Sequence, residues 1–417
     1  MIGFWIINAI MAILSILCFG YQFYYLLISL LRPAKRFPEG ERNRFAVLIA
    51  ARNEENVIGN LIDSIKAQTY SQDLIDVYVV ADNCTDHTAE VSQKHGAIVF
   101  TRYSEKKGKG YALDFLLQKI RERYGFDVYD GYFVFDADNL LDPHFIEEMN
   151  RVFSADYKIV TGYRNSKNFG ASWISFGYAV WFLREARYLN KPRMLLNTSC
   201  TISGTGFLMH RDIVKKYDGW RQHLLVEDIQ FSAENILDGE TIGYCENAIL
   251  YDEQPETFGV SWTQRMRWVR GHIQIVAHYG FKLVRGMFGP NFSSCYDFLM
   301  NIFPAVVLPL LGFCVGIGQT IYTLVTQSVS AWVAMLFIAW ALVGSYLFFF
   351  GLAALTVLTE WKRIKTTPMR KIRYLFLFPV FMATYLPIAV ACVFQKVEWK
   401  PIRHTVAVTL NDIEHKS

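Results

Sequence analysis

The chain has 417 residues and a formal net charge of +4, too balanced for nucleic acid to be its main partner. Hydrophobic residues make up 52% and charged residues only 19%. The two classes are segregated along the chain, which excludes a uniformly soluble protein.

No charge occurs from Met1 to Leu31, a run long enough for one membrane helix. It lacks the basic start of a cleaved signal peptide and exceeds the usual length of such a peptide's apolar stretch. Arg32, Lys35, Arg36, Arg42 and Arg44 follow at once. By the positive-inside rule, residues 32–290 therefore face the cytosol, with interfacial helices expected near 258–290.

Within that block, "FAVLIAA", "DVYVVAD", "GAIVFTR" and "GYFVFDAD" alternate with longer helical patterns. Strands that read as continuous apolar runs predict a parallel sheet covered on both faces. Open α/β sheets bind ligands beyond the carboxyl ends of their strands, and the polar groups "ARNEEN", "ADNCTD" and "DADN" sit there. The second half, through "IVTGYRN", the aromatic-rich "ASWISFGYAVWFLREARYL", "SGTGFLMH" and "TIGYCENA", is less regular and predicts mixed strands that complete the sheet.

Asp136 and Asp138, two residues apart at a strand end, suit a hard divalent cation shared with phosphate oxygens. Asp82 ends the neighbouring strand, where it would accept hydrogen bonds from a nucleobase or ribose. Asp86 reads equally well as a helix cap. Lys109 lies between Gly108 and Gly110 before a helix, an arrangement that suits an anion. Glu227 and Asp228 open another helix, where they favour its dipole or supply a general base. In "WTQRMRW", Gln264, Arg267 and Trp268 share one helical face, an aromatic platform beside a guanidinium and an amide. That face suits a sugar and a phosphate, and Trp262 suits the lipid headgroup level.

Phe298 to Thr359 carries no charge and predicts two spans. The uncharged linker near "TQSVS" fits the outside, and the basic loop 360–373 fits the cytosol. Tyr374 to Gln395 is again uncharged, but Pro379 and Pro387 interrupt it, so a kinked span, a re-entrant segment and a surface helix all remain open. Four crossings would leave the tail, 397–417, outside. The seven cysteines show no paired spacing and read as free thiols.

Taken together, "ADNCTD", "GKGYAL", "DADN", "SGTGFLM", "VED" and "QRMRW", between a leading span and closing spans, resemble the membrane-embedded, inverting glycosyltransferases of family 2. "QRMRWVRGHIQI" looks most like cellulose synthases. The layout is similar to compact bacterial synthases of β-glucan, poly-N-acetylglucosamine or hyaluronan.

The resemblance implies an α/β GT-A domain, Rossmann-like and mostly parallel, joined to an α-helical transmembrane region. It implies a UDP-sugar donor, best taken as UDP-glucose, polymerised into a secreted β-glucan by an enzyme of the bacterial plasma membrane. A single transfer to a lipid and the poly-N-acetylglucosamine or hyaluronan reactions are the alternatives. Asp82, Lys109, Asp136, Asp138, Gln264 and Arg267 would bind the nucleotide sugar, with Asp138 a ligand of Mg2+ or Mn2+. Asp228 would be the base, with Glu227 beside it. Ser203, Gly204 and Trp268 would face the acceptor. Val226 stands where the family's motif has threonine, one position before these carboxylates. Export or regulatory subunits would be separate chains.

Overall fold

In the computed structural model, which describes residues 2–326, 331–398, 401, 404 and 406–414, the chain begins with α1 (Ile2–Leu31). There follow β1 (Phe45–Ala51), α2 (Ile58–Lys66), β2 (Ile75–Asp82), α3 (Thr88–Lys94), β3 (Ile98–Arg102), α4 (Lys109–Tyr124) and β4 (Gly131–Asp136). β1 pairs in parallel with β2 and β4, and β2 pairs with β3. Because helices cover both faces, Phe45 to Ile49 and Tyr132 to Phe135 are fully buried.

The second half supplies β5 (Leu140–Leu141), α5 (Phe145–Phe153), β6 (Ile159–Ser166), α6 (Trp173–Glu185), α7 (Lys191–Leu195), β7 (Phe207–His210), α8 (Arg211–Tyr217), α9 (Glu227–Leu237) and β8 (Ile242–Asp252). A π-helical turn, Ala186–Asn190, joins α6 to α7. The eight strands lie in the order β3-β2-β1-β4-β7-β6-β8-β5. β7 is antiparallel to β4 and β6, β5 is antiparallel to β8, and β8 is parallel to β6. The sheet is thus mostly parallel at its start and mixed at its end, as the irregular second half predicts.

The rest is helical: α10 (Phe258–Gly286), α11 (Phe292–Thr326), α12 (Ala331–Thr359), α13 (Pro368–Ala383), α14 (Tyr385–Phe394) and α15 (Leu410–Glu414). The expected interfacial segment is one helix, α10. Among the described residues four helical stretches are long and apolar enough to cross a membrane: Gly3–Leu31, Val307–Thr326, Ile338–Thr359 and Pro368–Phe394. They expose large side chains such as Trp5, Trp340 and Phe394, a surface matched to lipid. Of the linker read as external, residues 327–330 lie outside the described residues.

A buried ion pair joins the helical region to the sheet domain. Arg193 of α7 donates Nε (2.8 Å) and Nη2 (2.7 Å) to the two carboxylate oxygens of Asp297 in α11. Tyr25 of α1 donates to the same carboxylate at 2.8 Å. Three helices thereby satisfy one buried charge cluster.

The last apolar stretch is two helices, broken at Thr384. Arg265 of α10, fully buried, donates Nη1 to the Thr384 hydroxyl (2.7 Å) and to the Phe381 carbonyl (3.2 Å). Its guanidinium lies over the rings of Phe381 (4.6 Å) and Tyr385 (4.9 Å). Trp262, expected at the headgroup level, is half-buried and packs on Phe258 and on the cluster of Met266 and Ile388. Beyond α14 the tail returns to the sheet domain. His404 Nδ1 lies 2.9 Å from Glu54 Oε1, and Val406 N–H donates to Glu253 at 3.1 Å. Counting four full crossings predicts a tail on the opposite side, whereas the described tail residues contact the sheet domain.

Candidate active site

All eleven residues to which the family resemblance gives a role in binding or catalysis line one cavity of about 1400 Å³. It runs from the strand ends of the sheet to α1, α11, α12 and α13.

Asp82 ends β2, and its carboxylate is ion-paired with Arg102, which ends β3. Arg102 also donates to the Lys106 carbonyl at 2.9 Å, so it fixes both Asp82 and the loop before α4. Sequence reasoning missed Arg102, although its place at the end of the neighbouring strand was a usable signal. Asp86 behaves as a cap: its Oδ1 accepts from Thr88 N–H (3.1 Å) and from the Thr88 hydroxyl (2.6 Å).

Lys109 opens α4 after Gly108, whose φ of +133° favours glycine. A side chain at Gly110 would meet the Gln222 carbonyl at 2.1 Å, so α4 can lie this close only with glycine there. The Lys109 ammonium pairs with Asp136 and donates to the Gly204 carbonyl at 2.7 Å.

Asp136 and Asp138 flank the turn after β4. Asp136 N–H donates to the Thr205 hydroxyl at 2.9 Å, and Asp138 Oδ2 accepts from Glu253 N–H at 2.8 Å. Gly204, with φ of +83°, sits at the junction: a Cβ there would lie 3.8 Å from Asp228 Oδ2 and 3.9 Å from both Asp136 Oδ2 and Arg164 Nη1. Residues from β4, β6, α9 and the Ser203–Gly204 loop thus converge on one point.

Arg164 of β6 was not foreseen. It pairs with Asp252 at the end of β8, donates to the Ser203 carbonyl at 2.7 Å and lies 3.9 Å over the Phe182 ring. Burial raises the Asp252 carboxyl to about 6, opposed by Arg164 and reinforced by Asp138.

Glu227 and Asp228 occupy the first turn of α9 and face the cavity. Burial, then the neighbouring Asp228 charge, pushes Glu227 up to about 7. Burial raises Asp228 as well, while the Ile229 N–H, Arg267 and Lys109 hold it down. Such a shift toward neutrality suits a group that must take a proton.

On α10, Gln264, Arg267 and Trp268 do share one face onto the cavity. Trp268 packs edge-on against Tyr178 (5.5 Å) and Phe182 (6.1 Å), which locks its ring. Arg267 reaches the Leu225 carbonyl at 3.5 Å, and Gln264 Oε1 is buried without a hydrogen bond.

Among the described residues, no three His, Cys, Asp or Glu side chains close around an ion. Asp136 and Asp138 nevertheless offer hard oxygen donors on one turn, which fits a cation whose shell is completed by phosphate oxygens.

A mixed sheet with carboxylates at its strand ends, acidic residues in the first turn of a helix and an Arg-Trp helix above them suit a nucleotide-sugar transferase. The model of the glycosyltransferase-like family 2 matches residues 42–271, and the chain belongs to that family. It is 30% identical over 277 residues to the probable glycosyltransferase YdaM of Bacillus subtilis, covering 59% of this chain and 60% of that one. It is 26% identical over 271 residues to the poly-beta-1,6-N-acetyl-D-glucosamine synthase of Staphylococcus aureus, covering 64% of this chain and 63% of the relative. The matches thus span less than two thirds of either relative. The mannosyltransferase PcManGT of Pyrobaculum calidifontis, solved with GDP-Man and Mn2+, superposes with a TM-score of 0.55 at 15% identity, covering 91% of this chain and 98% of that one. The expected GT-A fold is therefore present.

Proposed function

We propose that the chain is an inverting β-glycosyltransferase of the bacterial plasma membrane that elongates a polysaccharide from a UDP-sugar, with its sheet domain in the cytosol. One observation carries this reading: a single cavity joins the strand-end carboxylates and Asp228 to the membrane helices, a path suited to a product that leaves as it grows.

UDP lies across the strand ends, with Asp82 toward the nucleoside and Lys109 toward the diphosphate. The acceptor sugar rests on Trp268, beside Gln264 and Arg267, with Ser203 and Gly204 along its path. Asp228 removes the proton from the acceptor hydroxyl. The new bond to the anomeric carbon forms as the bond to the diphosphate oxygen breaks, and UDP leaves with that electron pair. Attack from the face opposite UDP turns an α-linked donor into a β-linkage. Glu227 tunes the base through its charge. A divalent cation, Mg2+ or Mn2+, would be held by Asp138, with Asp136 beside it, and would neutralise charge on the diphosphate.

The segment around Arg267 favours glucose, and the relative named for poly-N-acetylglucosamine favours N-acetylglucosamine. The test is to supply membranes with labelled UDP-glucose and UDP-N-acetylglucosamine separately and to size the product. A ladder of long chains from one donor supports the reading. Label confined to a small lipid-extractable product overturns polymerisation in favour of a single transfer to lipid.

A further inference from the structure

We propose that a small cleft at the foot of α1 binds the headgroup of a membrane phospholipid that carries both a phosphate and a primary ammonium, a phosphoethanolamine group. The cleft is separate from the sugar cavity, and its assignment rests on the membrane reading above but on no part of the sugar chemistry.

The cleft, of about 170 Å³, lies between residues 34–37 of the linker after α1, helix α5 and strand β8. Helix α1, long and apolar enough to cross a membrane, ends at Leu31, so at most about 10 Å of chain separates it from Ala34 on the cleft wall. The Ser29 hydroxyl of α1 donates to the Arg187 carbonyl at 2.6 Å, and Arg187 Nη1 donates to Glu246 Oε1, on the opposite wall, at 3.0 Å. Leu27, Leu30 and Leu31 are exposed at this end of α1, where acyl chains would lie.

A break in sheet register builds one wall. Thr161 of β6 faces Tyr244 of β8, but Tyr163 faces Ile249, so two steps along β6 match five along β8. The three extra residues loop out of the ladder and carry Glu246 and Asn247 to the cleft. Cys245 Sγ donates to the Glu148 carbonyl at 3.4 Å and Asn247 Nδ2 to Glu148 Oε2 at 3.1 Å, which fixes the loop against α5.

Charges of both signs line the cleft, and they are sorted. Lys35 and Arg36 are exposed, and among the described residues neither has a carboxylate partner; Lys35 donates to the Tyr157 hydroxyl at 3.1 Å instead. Glu246 and Glu148 are more sheltered, with side chains 11% and 21% exposed. The Tyr244 hydroxyl, Glu246 Oε2 and Arg151 Nε, all on the wall, are buried without a hydrogen bond. Lys191 stays 3.8 Å from Glu246, and Glu148 stays 3.7 Å from Arg151. Two uncommitted cations suit a phosphate diester, and sheltered acids suit a primary ammonium with its three N–H donors. A phosphate alone leaves the acids unanswered, and a choline group brings no N–H. Sites for drug-sized ligands begin at roughly 300 Å³, so this smaller cleft takes a headgroup and excludes a nucleotide.

The experiment is native mass spectrometry of the full chain, delipidated in detergent and titrated with phosphatidylethanolamine, phosphatidylcholine or phosphatidylglycerol of matched acyl chains. The first should bind about tenfold more tightly than the second, the worth of one charge-assisted hydrogen bond. Glu246→Gln should erase that preference. Because Glu246 also pairs with Arg187, Glu148→Gln on α5 is the second variant, and it should reduce the preference too. Lys35→Ala combined with Arg36→Ala should weaken both lipids alike. Melting without lipid verifies that each variant folds. Equal affinity for the ethanolamine and choline lipids overturns the site, as does a preference that survives both glutamate variants. Tighter binding of phosphatidylglycerol overturns it in favour of a general basic patch, and competition by soluble glycerophosphoethanolamine at equal concentration overturns the lipid as the source. Binding is read without a UDP-sugar, so a failure of this site and a failure of sugar transfer are told apart.

Discussion

Lys109, the first residue of α4, is ion-paired with Asp136 at the end of β4. On the proposed reading, the same pair would set the cation meant for the diphosphate against the carboxylate meant for the metal. A divalent ion held at Asp136 would then leave the ammonium free for the phosphates. Lys109→Ala is expected to bind Mn2+ more tightly in the absence of nucleotide, because Asp136 is freed, and to bind UDP about tenfold more weakly. Titration calorimetry reads both. Equal losses for metal and UDP would show that Lys109 serves only the local fold.

Asp228→Asn keeps the shape of the α9 first turn and removes the proton acceptor. Transfer should fall by at least about 100-fold, while UDP binding stays close to that of the natural sequence. A variant that turns over normally removes Asp228 from the mechanism.

The pH profile follows from Glu227 and Asp228. Both carboxyls are raised by burial, Glu227 to about 7, and they share one turn of helix. The pair therefore titrates as a unit. Below about 7 Glu227 retains a proton, and at lower pH Asp228 takes one as well and the base is quenched, so kcat/KM should rise with pH as the pair loses its protons. Glu227→Gln removes the like charge and should move the acid limb to lower pH. For stability the sign is opposite: a raised Glu227 favours the fold at low pH, and that contribution is lost as pH climbs from about 4.5 toward 7.

Arg265 stands in the same segment as Arg267 yet serves the fold. Replacing it with methionine leaves the Phe381 carbonyl and the Thr384 hydroxyl without their donor at the break between α13 and α14. A loss of about 1–3 kcal/mol is expected, read as a lower melting temperature in detergent. Arg267→Met should lower transfer with little change in melting. Reversed outcomes would exchange the two roles.

The returning tail predicts topology. With His404 on Glu54 and Val406 on Glu253, the described part of the tail lies with the sheet domain. A green fluorescent protein fused there should fluoresce in bacterial cells, and an alkaline phosphatase fusion should stay inactive. An active phosphatase would mean that α13 and α14 complete a crossing.

What the sequence showed was what it stores locally. Strand-end acids, a glycine-flanked lysine and a one-face Gln-Arg-Trp pattern are short-range, and the fold brought all of them to one cavity. The pairs that organise that cavity are long-range. Arg164 meets Asp252 across 88 positions, Arg265 meets Thr384 across 119, and His404 meets Glu54 across 350. No local period announces such partners. Arg265 was also masked by its neighbours, since two arginines two residues apart point to different helical faces and composition cannot tell which one reaches substrate.

The Arg193–Asp297–Tyr25 cluster also sets an order of assembly. Tyr25 is made 272 residues before the carboxylate it binds, so this contact cannot form until α11 has been synthesised. Until then the Arg193 guanidinium lacks its carboxylate partner, and α1, α7 and α11 gain their shared seam only together.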